Sequence, residues 1–375
     1  MSDERKYWVG FNLVKGIGAV RLQGLLDAFD GDLQAAWNAP PQALRAAGLS
    51  DLLVERLLAV RQAVSLDRIW ENIQNQAIQV LTWNDEAYPR RLREITQPPP
   101  VLYLRGTLTP EDEWAVAVVG TRRVTAYGRQ VCEQICDTLA RNGITVVSGL
   151  ARGVDGIAHK TALESGGRTL AVLGCGVDRI YPPEHRKLAA AIVEHGALLS
   201  DYPLGTPPEA RNFPPRNRII SGLSLATVVV EAGERSGALI TAEFAAEQGR
   251  EVFAVPGNIF APQSRGPNRL LQQGAHPLLH PDEILEVLEL SLVTEYRQAR
   301  LALPENETEV QILRVLGSEP LHVDEIRLRL NLPIETITAT LTLMELKGMV
   351  RQAGGMRYYA VGEATAPYRT EDERH

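Results

Sequence analysis

Two arginines bracketing an asparagine, Arg216-Asn217-Arg218, follow a Pro214-Pro215 pair and precede an apolar run that begins at Ile219. A Pro-Pro pair cannot continue a helix and sets an extended entry to the next element. The triplet then falls on the opening turn of a new helix, where free backbone N–H groups already favour an anion. Two guanidiniums and an amide in that position form a clamp for a phosphate or carboxylate. An isolated arginine pair more often ends in surface salt bridges, so the weight of the reading rests on the neighbours. Arg122 and Arg123 follow Gly120-Thr121, Arg152 follows Ser148-Gly149-Leu150-Ala151, and Arg211 and Phe213 precede the clamp. Ser236-Gly237 and Thr241 place hydroxyls at the start of another helical stretch, a geometry that also suits an anion.

The elements that must position these residues begin at Trp114, where the pattern becomes strand, glycine turn, helix, repeated. Runs at 115–119, 144–147, 169–173, 197–200, 226–230 and 251–255 are short and largely apolar, as buried parallel strands require. A helix over about 126–142 has Val131, Ile135 and Leu139 at helical spacing and Asn142-Gly143 as its stop. Strands alternating with helices predict a doubly wound α/β sheet with right-handed crossovers. Ligands of open α/β sheets bind outside the carboxyl ends of the strands. Arg122, Arg123, Arg152 and the clamp should meet at that edge, and Gly149, Gly153 and Gly237 should let backbone amides approach an anion. Phe213 could stack an unpaired base there, which favours single strands over duplex, or it could belong to the core.

The flanks differ in pattern. Residues 1–80 read as short helices broken by Gly and Pro, with Gly16-Ile17-Gly18 as a hairpin between two of them and one long helix from about Asp51 to Ile78. Four or five helices in a packing or modulatory role are expected, because basic residues are sparse. Residues 81–113, with Pro98-Pro99-Pro100, read as a connector. The sheet domain spans 114–290 and a linker 291–304. Three helical patterns and a Gly354-Gly355 hairpin over 305–361 make a winged helix, followed by a flexible tail at 362–375. The third of these helices, Ile334 to Lys347, carries Glu335 and Glu345, so groove reading by it is not expected.

Composition bounds the function. The 375 residues carry a net charge of -7, which argues against a globally basic coat but leaves room for a local basic groove. Three cysteines are too few for a disulfide framework, and Cys132 and Cys136 are expected in the core. No apolar targeting segment or membrane-length run is found, so a cytoplasmic protein with no membrane contact is expected. Neither a Gly-x-x-x-x-Gly-Lys-Ser/Thr cradle nor a Gly-x-Gly-x-x-Gly turn occurs, and Gly174-Cys175-Gly176 lacks the third glycine of a dinucleotide site. His159 and Asp155 have no nucleophile beside them, and no metal or cofactor set stands out. A binding module is therefore preferred to an enzyme.

Val119-Gly120-Thr121-Arg122, Ser148 to Asp155, Ala171 to Asp178 with Tyr181-Pro182, Phe213 to Ser224, Val230-Glu231-Ala232 and Val252 to Gly257 together resemble the DprA/Smf family in order and spacing. The resemblance spans about 114–290. It implies an extended Rossmann-like core between an N-terminal SAM-like, helix-hairpin-helix-like domain and a C-terminal winged helix. It further implies a homodimeric single-stranded DNA-binding recombination mediator of natural transformation. Such a protein protects incoming DNA, loads RecA onto it and promotes annealing, with single-strand-binding protein as a further candidate partner and no catalysis. Arg122, Arg211, Phe213, Arg216, Asn217 and Arg218 are carried over as DNA contacts; Thr121 stands where the family more often has Ser. A dimer surface around Leu270, Leu271, His276 and Leu278 rests on the resemblance alone. A nucleotide-binding or nucleotide-hydrolysing enzyme on the same scaffold stays open as the alternative, with the Ser236–Thr241 helix start as its phosphate site.

Overall fold

The structure, a computed structural model, describes residues 4–290, 306–316, 320–330, 332–346 and 349–360. The expected linker, the expected tail and Lys347 lie outside the described residues. The chain divides into two units, Met1–Leu288 and Glu289–His375.

The first unit opens on helices α1 (Arg5–Asn12), α2 (Ala19–Ala28), α3 (Leu33–Asn38), α4 (Pro41–Ala46), α5 (Asp51–Ala63) and α6 (Leu66–Asn75). The single helix expected from Asp51 to Ile78 is thus two. Val64 is extended, and Ser65 caps α6 by accepting the Arg68 N–H at 3.4 Å. Gly16 turns between α1 and α2 with φ of +105°, and a Cβ there would press to 2.9 Å from Leu53.

The segment expected as a connector instead adds an edge to the sheet. Strands β1 (Gln79–Thr82) and β2 (Val101–Gly106) pair antiparallel around helix α7 (Arg90–Arg93), and β2 pairs antiparallel with β6 (Gly196–Ser200). Side chains on β2 alternate between two cores, as a pleated strand requires. Val101 and Tyr103 join the core of the helical segment, whereas Leu102 and Leu104 join the core of the sheet. The proline run, expected at a boundary, is fastened at Pro99. Tyr88 donates its hydroxyl to the Pro99 carbonyl at 2.8 Å.

The repeated pattern then gives β3 (Ala115–Val119), α8 (Ala126–Arg141), β4 (Thr145–Ser148), α9 (Val154–Glu164), β5 (Thr169–Val172), α10 (Arg186–His195), β6, α11 (Phe213–Gly222), β7 (Ala226–Val229), α12 (Gly237–Glu247), β8 (Glu251–Ala254), α13 (Arg265–Gln272), β9 (His276–Pro277) and α14 (Glu283–Val287). Among the described residues these strands form a nine-stranded sheet in the order β1-β2-β6-β5-β4-β3-β7-β8-β9. From β3 to β9 every neighbouring pair is parallel, and β3 through β7 are buried along their whole length. The chain runs outward from β3 to β6 and then restarts on the other side of β3 with β7. That reversal makes the β3/β7 boundary the topological switch point of a doubly wound fold.

In the second unit, α15 (Glu307–Val315), β10 (Leu321–His322), α16 (Val323–Leu330), α17 (Ile334–Leu346), β11 (Val350–Gln352) and β12 (Arg357–Ala360) form a winged helix, its sheet ordered β10-β12-β11. Ile312, Ile326, Ile337, Leu341 and Met344 bring the three helices onto one core. The wing turns at Gly354 and Gly355, both at positive φ. Glu345 of α17 accepts the Gln352 N–H at 3.2 Å and so ties the third helix to the wing. No described helix is long and apolar enough to cross a membrane.

Candidate nucleic-acid interface

Helix α11 starts at Phe213 with Pro214 and Pro215 in its first turn, where no N–H is needed. Successive residues of a helix point about 100° apart, so three consecutive side chains cannot share a face. Arg216 turns inward and is only 4% exposed. Its guanidinium donates to the Gly149 carbonyl at 3.0 Å, to the Val172 carbonyl, and through Nε to Asn217 Oδ1 at 3.3 Å. These carbonyls stand at the ends of β4 and β5. Burial pushes the Asp155 carboxyl above the usual range, and the facing Arg216 charge opposes that shift. Arg216 stays charged, since a guanidinium does not release its proton in proteins. Gly149 lies between the pair, and a Cβ on it would come within 2.6 Å of Arg216 Nη2 and 2.8 Å of Asp155 Oδ2.

Asn217 is buried as well and donates to the Gly237 carbonyl at 3.1 Å. Arg218 binds Asp201 at 2.7 Å and the Gln97 carbonyl, which straps α11 to the end of β6 and to the proline segment. The triplet is therefore not a three-pronged clamp open to solvent. It fastens the strand-end turns from within.

The next layer faces outward. Arg122 and Arg123 are exposed in the turn after β3. The Phe213 ring is half-buried against Gly174, where a Cβ would reach to 2.8 Å of its edge. Arg122 Cζ lies 5.7 Å from the centre of that ring, Arg216 Cζ 5.8 Å, and the Tyr181 ring 5.9 Å. Both arginines are within cation–π range. Arg152 is exposed and binds Glu184 at 2.5 Å, while Arg211 is exposed and binds Glu209 at 2.5 Å. Arg122, Phe213, Arg216 and Gly149 are thus brought together. Arg152 and Arg211 reach solvent already paired.

The Arg122 turn is held from both sides. The buried Glu231 carboxylate accepts the Thr125 N–H at 2.9 Å and the Thr125 hydroxyl at 2.5 Å, and its carbonyl accepts the Thr121 N–H at 2.6 Å. Gly153, at φ +78°, lies so close that a Cβ would sit 2.2 Å from the Thr121 carbonyl oxygen. Pattern reading misses Glu231 as a brace, because nothing in a lone carboxylate after a strand foretells the cap it makes 106 residues back. It also passes over Arg235, exposed in the turn after β7; the rule that picks out Arg122, a cation in a post-strand turn, would find it.

The remaining candidates are turned inward or occupied. Ser148 donates to the Val118 carbonyl at 2.7 Å, Thr241 is buried, and the Ser236 hydroxyl caps its own helix by accepting the Ala238 N–H at 3.3 Å. The hydroxyls that a phosphate at the α12 start would use are therefore engaged or enclosed, while Gly237 is exposed. His159 is buried and neutral. Thr169 gives its hydroxyl proton to Val146, so Nδ1 must donate to Thr169 at 2.7 Å while Nε2 accepts the Leu150 N–H at 3.3 Å. Burial pushes its pKa down to about 3. Of the expected dimer residues, Leu278 is buried, and Leu270 is partly buried against the sheet core. His276 is half-exposed and bonded to Glu251 at 2.7 Å. Leu271 is half-buried, and the neighbouring Leu279 is the residue that projects.

A doubly wound sheet with cations and a ring collected at its carboxyl edge, and a winged helix in a second unit, define an extended Rossmann-like architecture with a candidate anion-binding edge. Residues 79–289 match the family model for DNA recombination-mediator protein A, and residues 297–356 match the DprA winged helix domain. Protein Smf of Synechocystis sp. is 36% identical, covering 95% of this chain and 99% of its own length. The crystal structure of DNA processing protein A from Streptococcus pneumoniae superposes with a TM-score of 0.67 at 31% identity, over 76% of this chain and 98% of the other. The structure of DNA processing protein A from Helicobacter pylori, reported for its single-stranded DNA binding mode, gives 0.51 at 31% identity, over 56% and 95%. The chain belongs to the DprA/Smf family of DNA recombination mediators.

Proposed function

We propose that this chain binds single-stranded DNA along the carboxyl edge of its sheet and serves as a non-catalytic mediator of natural transformation. In this reading it protects incoming DNA in the cytoplasm, loads RecA against single-strand-binding protein, and promotes annealing. The observation that carries the reading is the exposed Arg122 guanidinium stacked 5.7 Å from the half-exposed Phe213 ring, next to Arg123 and at the switch point. A guanidinium neutralises backbone phosphate without reading sequence, and a ring beside it accepts any unpaired base. Arg152, Arg211, Ser236 and Gly237 border the same edge. Homodimerisation is proposed through α13 and β9, where, among the described residues, the sheet ends in a two-residue strand and Leu279 projects.

Fluorescence anisotropy with single- and double-stranded probes across a salt series tests the reading. Wild type should prefer single strands, and log K should fall with log salt by about 0.7 per phosphate neutralised. Arg122→Ala should weaken binding at unchanged stability, and an Arg122→Ala, Phe213→Ala double variant should bind about tenfold more weakly or worse, at some cost in stability because the ring is half-buried. Equal binding by the variant would remove the edge from the DNA path.

A further inference from the structure

Beyond the Arg122–Phe213 group, the same edge carries a far more exposed ring. Ile259 is 72% and Phe260 83% exposed, side by side in the loop after β8. Singly exposed apolar residues are ordinary on any protein. This pair differs because the loop presenting it is fastened along its length. Asn268 clasps Gly257 through its N–H at 3.2 Å and its carbonyl at 3.0 Å. Asn258 Oδ1 accepts the Phe260 N–H at 2.9 Å, closing an Asx turn beneath the ring. Gln263 accepts the Ala232 N–H at 2.8 Å, and Tyr127 donates its hydroxyl to the Pro256 carbonyl at 2.9 Å.

We propose that Phe260 is a second base-stacking platform, on which an unpaired base of single-stranded DNA lies as the strand crosses the sheet edge from the β3–β5 turns to the β8 loop. The proposal rests on the single-stranded DNA reading above. The bonds to Tyr127 and Ala232 bring the loop against the first turn of α8 and the turn after β7. Arg235 lies in the second of these segments and Arg123 in the turn that leads into the first, both exposed and, among the described residues, without an ion pair. An exposed ring on a loop fastened to segments that carry or adjoin unpaired guanidiniums suits a polyanion with bases to stack, whereas a protein partner seated on Phe260 would leave those charges without a stated counterpart. The β3 turn links the two platforms, since Arg122 faces Phe213 and Arg123 comes next in the chain. A loop held in place beforehand also spares the strand the cost of ordering it.

The test uses the full chain and oligo-dT strands of increasing length, read by anisotropy, with 2-aminopurine placed along the longer ones to report stacking. Phe260→Ala should leave the shortest strands unaffected and weaken the longer ones by about 5- to 150-fold, the range for losing one stacked base. Phe260→Trp should restore binding and 2-aminopurine quenching, and Phe260→Leu should not. Because the side chain is exposed, none of these changes should disturb folding. Wild-type affinity in Phe260→Ala or in Phe260→Leu would overturn the platform while leaving the Arg122–Phe213 reading intact. A change in oligomeric state at unchanged DNA affinity would make the loop a protein contact and overturn it too. Failure of wild type to bind any strand would bring down both readings together.

Discussion

Replacing Arg216 by Ala separates an inward brace from a DNA contact. The change removes charged hydrogen bonds to the Gly149 and Val172 carbonyls and leaves the buried Asp155 without its counter-charge. Removing one partner of a buried pair costs about 3–5 kcal/mol. The lower end applies here, because the desolvation cost of the guanidinium itself disappears with it. On a unit of this size a loss of about 3 kcal/mol lowers the melting temperature by about 5 °C. Arg122→Ala, at an exposed site, should instead stay within about 0.5 kcal/mol of wild type and lose DNA affinity. Urea unfolding and anisotropy on the two variants make the comparison. Arg216→Ala with Asp155→Asn should recover part of the stability, since the uncompensated charge is then gone. If Arg216→Ala melted like wild type yet failed to bind DNA, its guanidinium would reach the ligand and the inward assignment would be refuted.

Acid stability and salt dependence give two further tests. His159 has a folded pKa near 3 against an ordinary 6.5, so the unfolded chain takes up the proton first. Its contribution is fully present above about pH 6.5 and is lost as pH falls toward 3. At about 1.4 kcal/mol per pH unit, the window amounts to roughly 4–5 kcal/mol. His159→Gln keeps a donor and an acceptor, so its unfolding free energy should flatten between pH 6.5 and 4 relative to wild type; an unchanged slope would mean that another group titrates there. Glu184→Gln should release Arg152 and steepen the salt dependence of single-strand binding by up to about 0.7, one added phosphate contact. An identical slope would place Arg152 off the DNA path.

Much of the sheet was legible because buried parallel strands leave a strong local mark. The run at 115–119 is apolar throughout and that at 226–230 is apolar except for Thr227, and the observed strands β3 and β7 fall within a residue of them. The edge hairpin was not. Val101 to Gly106 reads as a strand, but its antiparallel partner on β6 lies nearly a hundred residues away, and the three prolines just before it suggest a boundary. Likewise the break between α5 and α6 depends on a serine cap, which apolar periodicity does not register.

The candidate site was legible in its residue types and only partly in their directions. Post-strand turns at a switch point identify where Arg122 and Arg123 must lie, since strand polarity alone sends those turns to the ligand edge. Whether Arg216 faces water or carbonyl oxygens depends on the helix's rotation about its axis, which packing decides. Rotation sends Arg216 beneath the sheet ends, and the same interior layer contains Asp155, Glu231, His159 and Gly153. Each of these fastens a turn: Glu231 and Gly153 hold the backbone that carries Arg122, while Arg216 and Asp155 hold the turn after β4. The residues that mark the motifs most clearly are therefore the frame of the interface. Its working surface is the less conspicuous set they hold in place, and a substitution in the frame should be felt first in stability and through it in binding.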